Sequence, residues 1–436
     1  MMTTFVRFFQ NKEIRKKILF TLAMFFVYSI GSSIPVPNTA PNITTGSNDL
    51  LTMMQLLGGG ALDQLSIFSL GIGPYITASI IIQLLSMDVI PHFTELSKSG
   101  QTGRKVLDKY TRYLGLILCF VQSYTTVMML NSESQEILLN DSLSGFLYVT
   151  VVFTAGTMFL LWIADRISMH GIGNGVSMII FAGIVSKLPY QFSSAFSVLT
   201  TGLKGSALFS GLLTFAGFVA IYLLIIVLVV FTNTAIRKIP IQYTSSTVQK
   251  NSREMNYLPL KINSASVIPV IFASSVMMAP LQIARLLVQN NWIEANGVTN
   301  AMENWMGLQS LPSVIIYGIL TFLFTFFYTR LTVDPEKISD NLSKSGTYIP
   351  GVRPGKETKD YINKVLSRIT VLGATVLVFI ALMPHIAPMV IPNLPTTIRF
   401  GGTGMIIVVG VALETVSQLK GQLTTKSYKG FLGIGK

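Results

Sequence analysis

The stretch "LLTMMQLLGGGALDQLSIFSLGIGPYITASIIIQLL" runs from Leu50 to Leu85. Its apolar residues fall into two unequal pieces. Residues 53–57 are too few to cross a bilayer, and Gly58, Gly59 and Gly60 interrupt them. "ALDQLSIF" follows, then "GIGP" at 71–74, and only then a long apolar helix. A spanning helix needs about 20 mostly apolar residues. Residues 53–65 therefore read as a re-entrant or broken helix. Hydrocarbon cannot satisfy the backbone that such a break exposes, so the segment must lie against protein or line a watery cavity. The competing reading is a surface hairpin of an outer loop. On the first reading the fold is a helical membrane bundle with a cavity inside it.

Composition agrees with that class. The chain has 436 residues, a mean hydropathy of +0.58 and only 12% charged residues, where a soluble domain carries about 25%. A single cysteine, Cys119, excludes an internal disulfide and a thiolate metal cluster. His92, His170 and His385 are far apart and lack ligand spacing. No cofactor or metal is expected. The start, "MMTTFVRFFQNKEIRKKILF", has no small-residue cleavage site before the first apolar run and reads as retained. Its Phe5, Phe8 and Phe9 against Arg7, Lys12 and Arg15 suit an interfacial helix.

Ten candidate spans follow: 18–37, 67–90, 107–131, 146–164, 174–190, 208–236, 262–284, 311–330, 366–387 and 402–418. With the N-terminus cytoplasmic, 28 of the 32 Lys and Arg residues fall on inner segments. Only Lys187, Lys204, Arg285 and Arg399 stay outside. The positive-inside rule thus places both termini in the cytoplasm. The formal charge of +13 describes mainly the cytoplasmic face, which suits anionic lipids, a nucleic acid or an acidic protein. The expected fold is all-α, a polytopic membrane protein of ten transmembrane helices. Five spans in each half would make the halves inverted. The expected divisions are a cytoplasmic amphipathic segment (1–17), an N-terminal half (18–190), an outer linker (191–207), a C-terminal half (208–418) and a cytoplasmic tail (419–436). Large cytoplasmic loops are expected at about 237–261 and 331–365.

No nucleotide-binding loop, GxSxG elbow or HExxH pair is present, so the chain is not expected to be an enzyme. "GIGNG" at 171–175 reads as a tight cytoplasmic start of span 5, with Asn174 as its cap. Asp165, Arg166 and His170 sit at a cytoplasmic helix end and are expected to face water. No chain of Asp, Glu and His crosses the bilayer. That argues against a secondary transporter and for a passive pore or a channel driven by a partner.

The chain closely resembles the SecY family, the channel subunit of the bacterial protein translocase, over nearly its whole length. The blocks that carry the resemblance are "SIPVP", "GPYITASIIIQLL", "TRYLGL", "AGTMFLLWIADRI", "GIGNGVSMIIFAGIV", "IRKIPIQY", "LPLKINSASVIPVIFASS", "SGTYIPGVRPGKET" and "FGGTGMIIVVGVALETVSQ", in the family's order. The resemblance implies a pore through which unfolded secretory polypeptides cross the bacterial plasma membrane, with membrane-protein helices released through a lateral gate. It implies a pore ring of Ile76, Ile80, Ile180, Ile184, Ile271 and Ile407. It implies a plug containing Met53, Met54, Leu56, Leu57, Gly58, Gly59, Gly60, Ala61 and Leu62. The gate edges would carry Ser275 and Ala279 on span 7, faced by Ile81 on span 2, with Gln83 bonded across the bundle. The implied partners are SecE-like and SecG-like small subunits, a SecA-like ATPase motor and the ribosome with its RNA. Arg353, Lys356 and Lys359 in one loop, and Arg237, Lys238, Lys250 and Arg253 in the other, would dock motor or ribosome. The 6–7 tip is poorer in basic residues than the family pattern. An accessory SecY-like channel for dedicated substrates is the alternative, though the intact "PGVRPGK" and "GGT" blocks favour the general channel.

Overall fold

The computed structural model describes residues 9–39, 65–87, 89–132, 138, 142–201, 205–243, 256–289, 297–307, 310–390 and 396–431. Ten helices correspond to the ten predicted spans. In chain order they are α1 (Lys12–Ser33), α2 (Gly73–Leu85), α4 (Gly100–Ser132), α5 (Leu143–His170), α6 (Gly175–Thr200), α7 (Ser206–Thr234), α8 (Ile268–Gln289), α10 (Leu311–Thr332), α12 (Lys356–Val390) and α13 (Thr396–Phe431). Among the described residues three short helices lie between them: α3 (Pro91–Lys98), α9 (Gly297–Met306) and α11 (Pro335–Lys344). Eight of the ten are long and apolar enough to cross a membrane by themselves; α1 and α2 complete the set.

The second span is much shorter than the 67–90 expected. Its helix has 13 residues, a length of about 20 Å. Residues 65–72 are turns, with Leu65 at φ 44° and Gly71 at φ 60°. This non-helical stretch is not left to lipid. The Val36 N–H donates to the Leu65 carbonyl (2.8 Å) and the Ile67 N–H to the Ile34 carbonyl (3.1 Å). Leu65 itself is buried among Val36, Cys119 and Phe153. On its other side α5 comes so close that a Cβ at Gly156 would collide with the Ile67 carbonyl.

Several boundaries move. The fifth span runs on through Pro189 to Thr200, so most of the expected linker 191–207 is helix. Span 9 begins in the cytoplasmic loop at Lys356, and span 10 continues into the expected tail as far as Phe431. Lys12 and Arg15 belong to α1 itself, while Phe5, Arg7 and Phe8 lie outside the described residues. The expected all-helical chain also has two small sheets. β1 (Ile236–Pro240) pairs antiparallel with β3 (Tyr257–Lys261), and β2 (Gln242–Tyr243) with β4 (Thr347–Tyr348). The second pairing joins the two large cytoplasmic loops.

The halves meet along two seams. α8 packs against α2 and α4 on one side, and α6 packs against α7 and α13 on the other. A third tie lies at the cytoplasmic ends, where Ile14 of α1, Ile172 of the "GIGNG" turn and Leu419 of α13 bury one another.

The Gly156 approach can be tested. Gly156→Val should cost about 1–3 kcal/mol through overpacking and lower the melting temperature of the purified protein. Gly217→Ala is the control, because nothing lies near the Cβ position of that helical glycine. It should be neutral or slightly stabilising.

Candidate functional site

Four helices supply the isoleucines singled out above. Ile76 and Ile80 stand one turn apart on α2, Ile180 and Ile184 one turn apart on α6, Ile271 on α8 and Ile407 on α13. All six are 1–8% exposed and belong to a single apolar cluster shared by both halves. The cluster is wider than the six: Ile72, Ile179, Ile406 and Met277 are part of it. Those neighbours follow from helical geometry, since an aliphatic run places adjacent side chains on the walls of the same core.

Along the α2–α8 seam a small cleft of about 30 Å³ is lined by Thr77 and Pro74 of α2, Gln122 of α4, and Ser275, Ala279 and Gln282 of α8. Ser275 and Ala279 are thus on the edge expected of them. Thr77 of α2 lines the cleft opposite them, and Ile81, half-buried, stands one turn further along the same face of α2. Gln83 corrects the expectation. Its amide donates to the Ser79 hydroxyl one turn back on the same helix (3.1 Å) rather than across the bundle. An i,i+4 partner needs no second helix to hold still, so the local bond wins. Gln122 and Gln282 were missed; an amide inside an otherwise apolar span was the available signal. Met53, Met54, Leu56, Leu57, Gly58, Gly59, Gly60, Ala61 and Leu62 lie outside the described residues.

The long connections after α7 and α10 form a folded unit with its own core. Ile239 of β1, Leu260 of β3, Leu342 of α11, Ile349 after β4, and Ile362 and Leu366 of α12 bury one another. Of the β1 residues only Ile239 is buried; Arg237 and Lys238 are both exposed, Lys238 on the face of the strand opposite Ile239. The Lys238 ammonium lies 4.7 Å from the centre of the Tyr257 ring. The Tyr348 hydroxyl donates to the Gln242 side chain (3.1 Å) across the sheet that joins the loops. Lys250 and Arg253 lie outside the described residues.

Arg353 sits at the tip of this unit with its side chain 87% exposed, and the Glu357 carboxylate lies 4.0 Å from its guanidinium. Gly351 (φ 80°) and Gly355 (φ 95°) bend the chain on either side in a conformation that side chains disfavour. The bend is braced. Thr358 donates its hydroxyl to the Arg353 carbonyl and Ser339 to the Gly355 carbonyl, each at 2.8 Å. Lys356 is exposed at the start of α12. Lys359 is instead paired with Glu336 at 2.7 Å, and that bond raises its pKa above the ordinary lysine value. The guanidinium is therefore presented on a stiff mount, while Lys359 is already engaged.

At the cytoplasmic ends of the spans Arg112 and Asp165 pair at 2.7 Å, both part-exposed, and Arg166 stacks over Trp162 at 5.2 Å. Asn174 caps α6 through the Val176 and Ser177 N–H groups.

A two-half helical bundle, sealed by aliphatic side chains and carrying a folded basic cap on one face, defines a polytopic membrane channel class. The SecY family profile matches residues 66–416. The chain is 43% identical to "Protein translocase subunit SecY" of Staphylococcus epidermidis over 99% of its own length and 100% of that protein. Its fold is similar to a solved structure described as "The structure of a protein conducting channel" (TM-score 0.67, 20% identity, 93% of this chain and 91% of that one). It is also similar to Sec61 in the canine ribosome–channel complex from the endoplasmic reticulum (TM-score 0.63, 19% identity, 93% and 91%). The chain belongs to the SecY family, whose members are channel subunits rather than enzymes.

The cytoplasmic core predicts a local failure. Ile362 is fully buried there, so Ile362→Asp should cost about 2–5 kcal/mol by loss of packing and burial of a charge. The expected result is protease cleavage within the loops while the membrane-embedded fragments stay associated on native gels.

Proposed function

We propose that the chain is the channel-forming subunit through which unfolded secretory polypeptides cross the bacterial plasma membrane, with both termini in the cytoplasm. The observation that carries this reading is the convergence of six isoleucines, from four helices and both halves, in one buried apolar cluster. An aliphatic ring fits loosely around any side chain and offers no hydrogen bond that would hold a passing polypeptide. When empty it closes on itself and excludes water, and with water it excludes ions. Residues 53–65 serve as the plug on its outer side. The α2–α8 seam is the lateral gate. Its cleft, lined by Gln122, Ser275 and Gln282, lets a segment in transit meet amides and hydroxyls before it meets lipid. Segments apolar enough to prefer lipid leave sideways, and the others continue through the ring.

The cytoplasmic unit docks the driving partner, either a SecA-like ATPase motor or a ribosome. Support comes from the exposed Arg353, Arg237 and Lys238 on a stiff mount and from the ribosome-bound relative of similar fold. Arg suits both partners, because its planar fork pairs with a carboxylate or an RNA phosphate alike. SecE-like and SecG-like subunits would cover part of the exposed apolar surface, and anionic lipids the basic rim.

Replacing several of Ile76, Ile80, Ile180, Ile184, Ile271 and Ile407 by Ser should make the resting channel conduct ions in planar bilayers. Silence equal to the parent in a folded multiple variant would remove the ring from the mechanism. Arg353→Glu should abolish motor-driven import of a precursor into vesicles while the membrane complex stays assembled. Reversal of a contact charge costs several kcal/mol, so import should fall at least a hundredfold. Near-normal import would reduce the tip to an ordinary solvated loop.

A further inference from the structure

α9 joins the outer ends of α8 and α10 and packs on both. No span was expected there, and the channel reading makes no use of it. Two of its residues point in different directions. Met306 packs against the main apolar core. Trp305, its neighbour, is 55% exposed. A half-exposed tryptophan on a surface helix needs an occupant for its indole.

The level of this helix relative to the bilayer can be measured along α10. Leu311, Ile315, Ile319 and Leu323 form an exposed row at four-residue spacing, and Leu331 ends the exposed apolar residues of the helix. From 311 to 331 the helix rises about 30 Å, the thickness of the hydrocarbon core. Leu311 thus marks the outer edge of the hydrocarbon. Ser310 caps α10 at this edge, and its hydroxyl also bonds the Asn304 carbonyl of α9. Trp305 follows directly in the chain, so its indole stands at the boundary between acyl chains and headgroups.

The other exposed Tyr and Trp residues of the spans sort into two levels. Tyr110, Tyr113 and Trp162 lie toward the cytoplasmic ends of α4 and α5. Tyr148 and Tyr190 lie on the outer parts of α5 and α6. These are the two belts where amphipathic rings favour the headgroup region. Trp305 falls in the outer one. α9 carries no Lys or Arg, and its only charge is Glu303, so nothing in its sequence favours an acidic protein partner over lipid.

We propose that α9 is an interfacial helix that rests on the outer leaflet, with Trp305 inserted among the glycerol groups and first acyl methylenes of the lipids. It anchors the connection between α8 and α10 to the bilayer surface. This placement stands whether or not the channel reading does.

The test uses the full chain with its partner subunits, reconstituted in phosphatidylcholine–phosphatidylglycerol vesicles. Trp162→Phe and Trp292→Phe leave Trp305 as the chain's single tryptophan, and a further Trp305→Phe variant supplies the background to subtract. Three quenchers are compared: lipid brominated near the carboxyl end of its acyl chains, lipid brominated near the terminal methyl, and aqueous iodide. The expected result is that the shallow bromine quenches several-fold more than the deep bromine or iodide. Strongest quenching by iodide would place the indole in water and overturn the proposal. Weak quenching by all three would mean that a protein partner covers Trp305, and strongest quenching by the deep bromine would put α9 inside the hydrocarbon. Either result also overturns it.

Discussion

Hydrocarbon offers no partner for a peptide N–H or C=O, and the rest of this structure follows from that. Each unpaired group costs several kcal/mol there, so the chain crosses as helices wherever lipid touches it. The one described non-helical stretch that interrupts a span, residues 65–72, obeys the same rule from inside. Its polar groups bond to residues 34–36, its Leu65 and Phe68 are buried, and Gly156 lets α5 close over the Ile67 carbonyl. A broken span is tolerable because protein, not lipid, surrounds the break. The break in turn shortens α2 and puts Ile76 and Ile80 at the centre of the bundle instead of on its surface.

On the face that carries the basic loops a different balance governs. Charge alone would leave solvated loops there. Seven aliphatic residues from β1, β3, α11, α12 and the β4 exit supply a separate core. The β2–β4 pairing then locks two loops, more than a hundred residues apart in sequence, into one body. Strand β3 runs within a few residues into α8, the helix that forms the seam with α2.

The isoleucine cluster belongs to both halves, and so does the α2–α8 cleft. The same contacts that hold the halves together are those that must separate if a polypeptide passes. Aliphatic packing suits that double duty. It is non-directional, and it can be remade after each opening without any donor finding its acceptor. The seam cleft, by contrast, has hydroxyls and amides at Thr77, Gln122, Ser275 and Gln282, so it does not pack as a seamless apolar joint.

The sequence by itself determined the class and the number of spans, because hydropathy is carried by residues close together in the chain. Asn174 as the cap of α6 was legible for the same reason. The six isoleucines came from the family resemblance of the chain's motifs, and the structure gathers them in one apolar cluster. What only the tertiary structure decided were the relations between distant residues. The "GIGP" turn marked where the α2 helix begins, but its early end at Leu85 could not be read, since no Gly or Pro breaks the chain before Pro91. Thr77 at the cleft, with Ile81 one turn further along the same face, depends on the height at which α2 meets α8. Gln83 chose Ser79 because its own helix offered a partner at the right spacing. The strand pairing of 242–243 with 347–348 joins two segments too short to carry a strand signal, and each becomes a strand only because the other lies beside it.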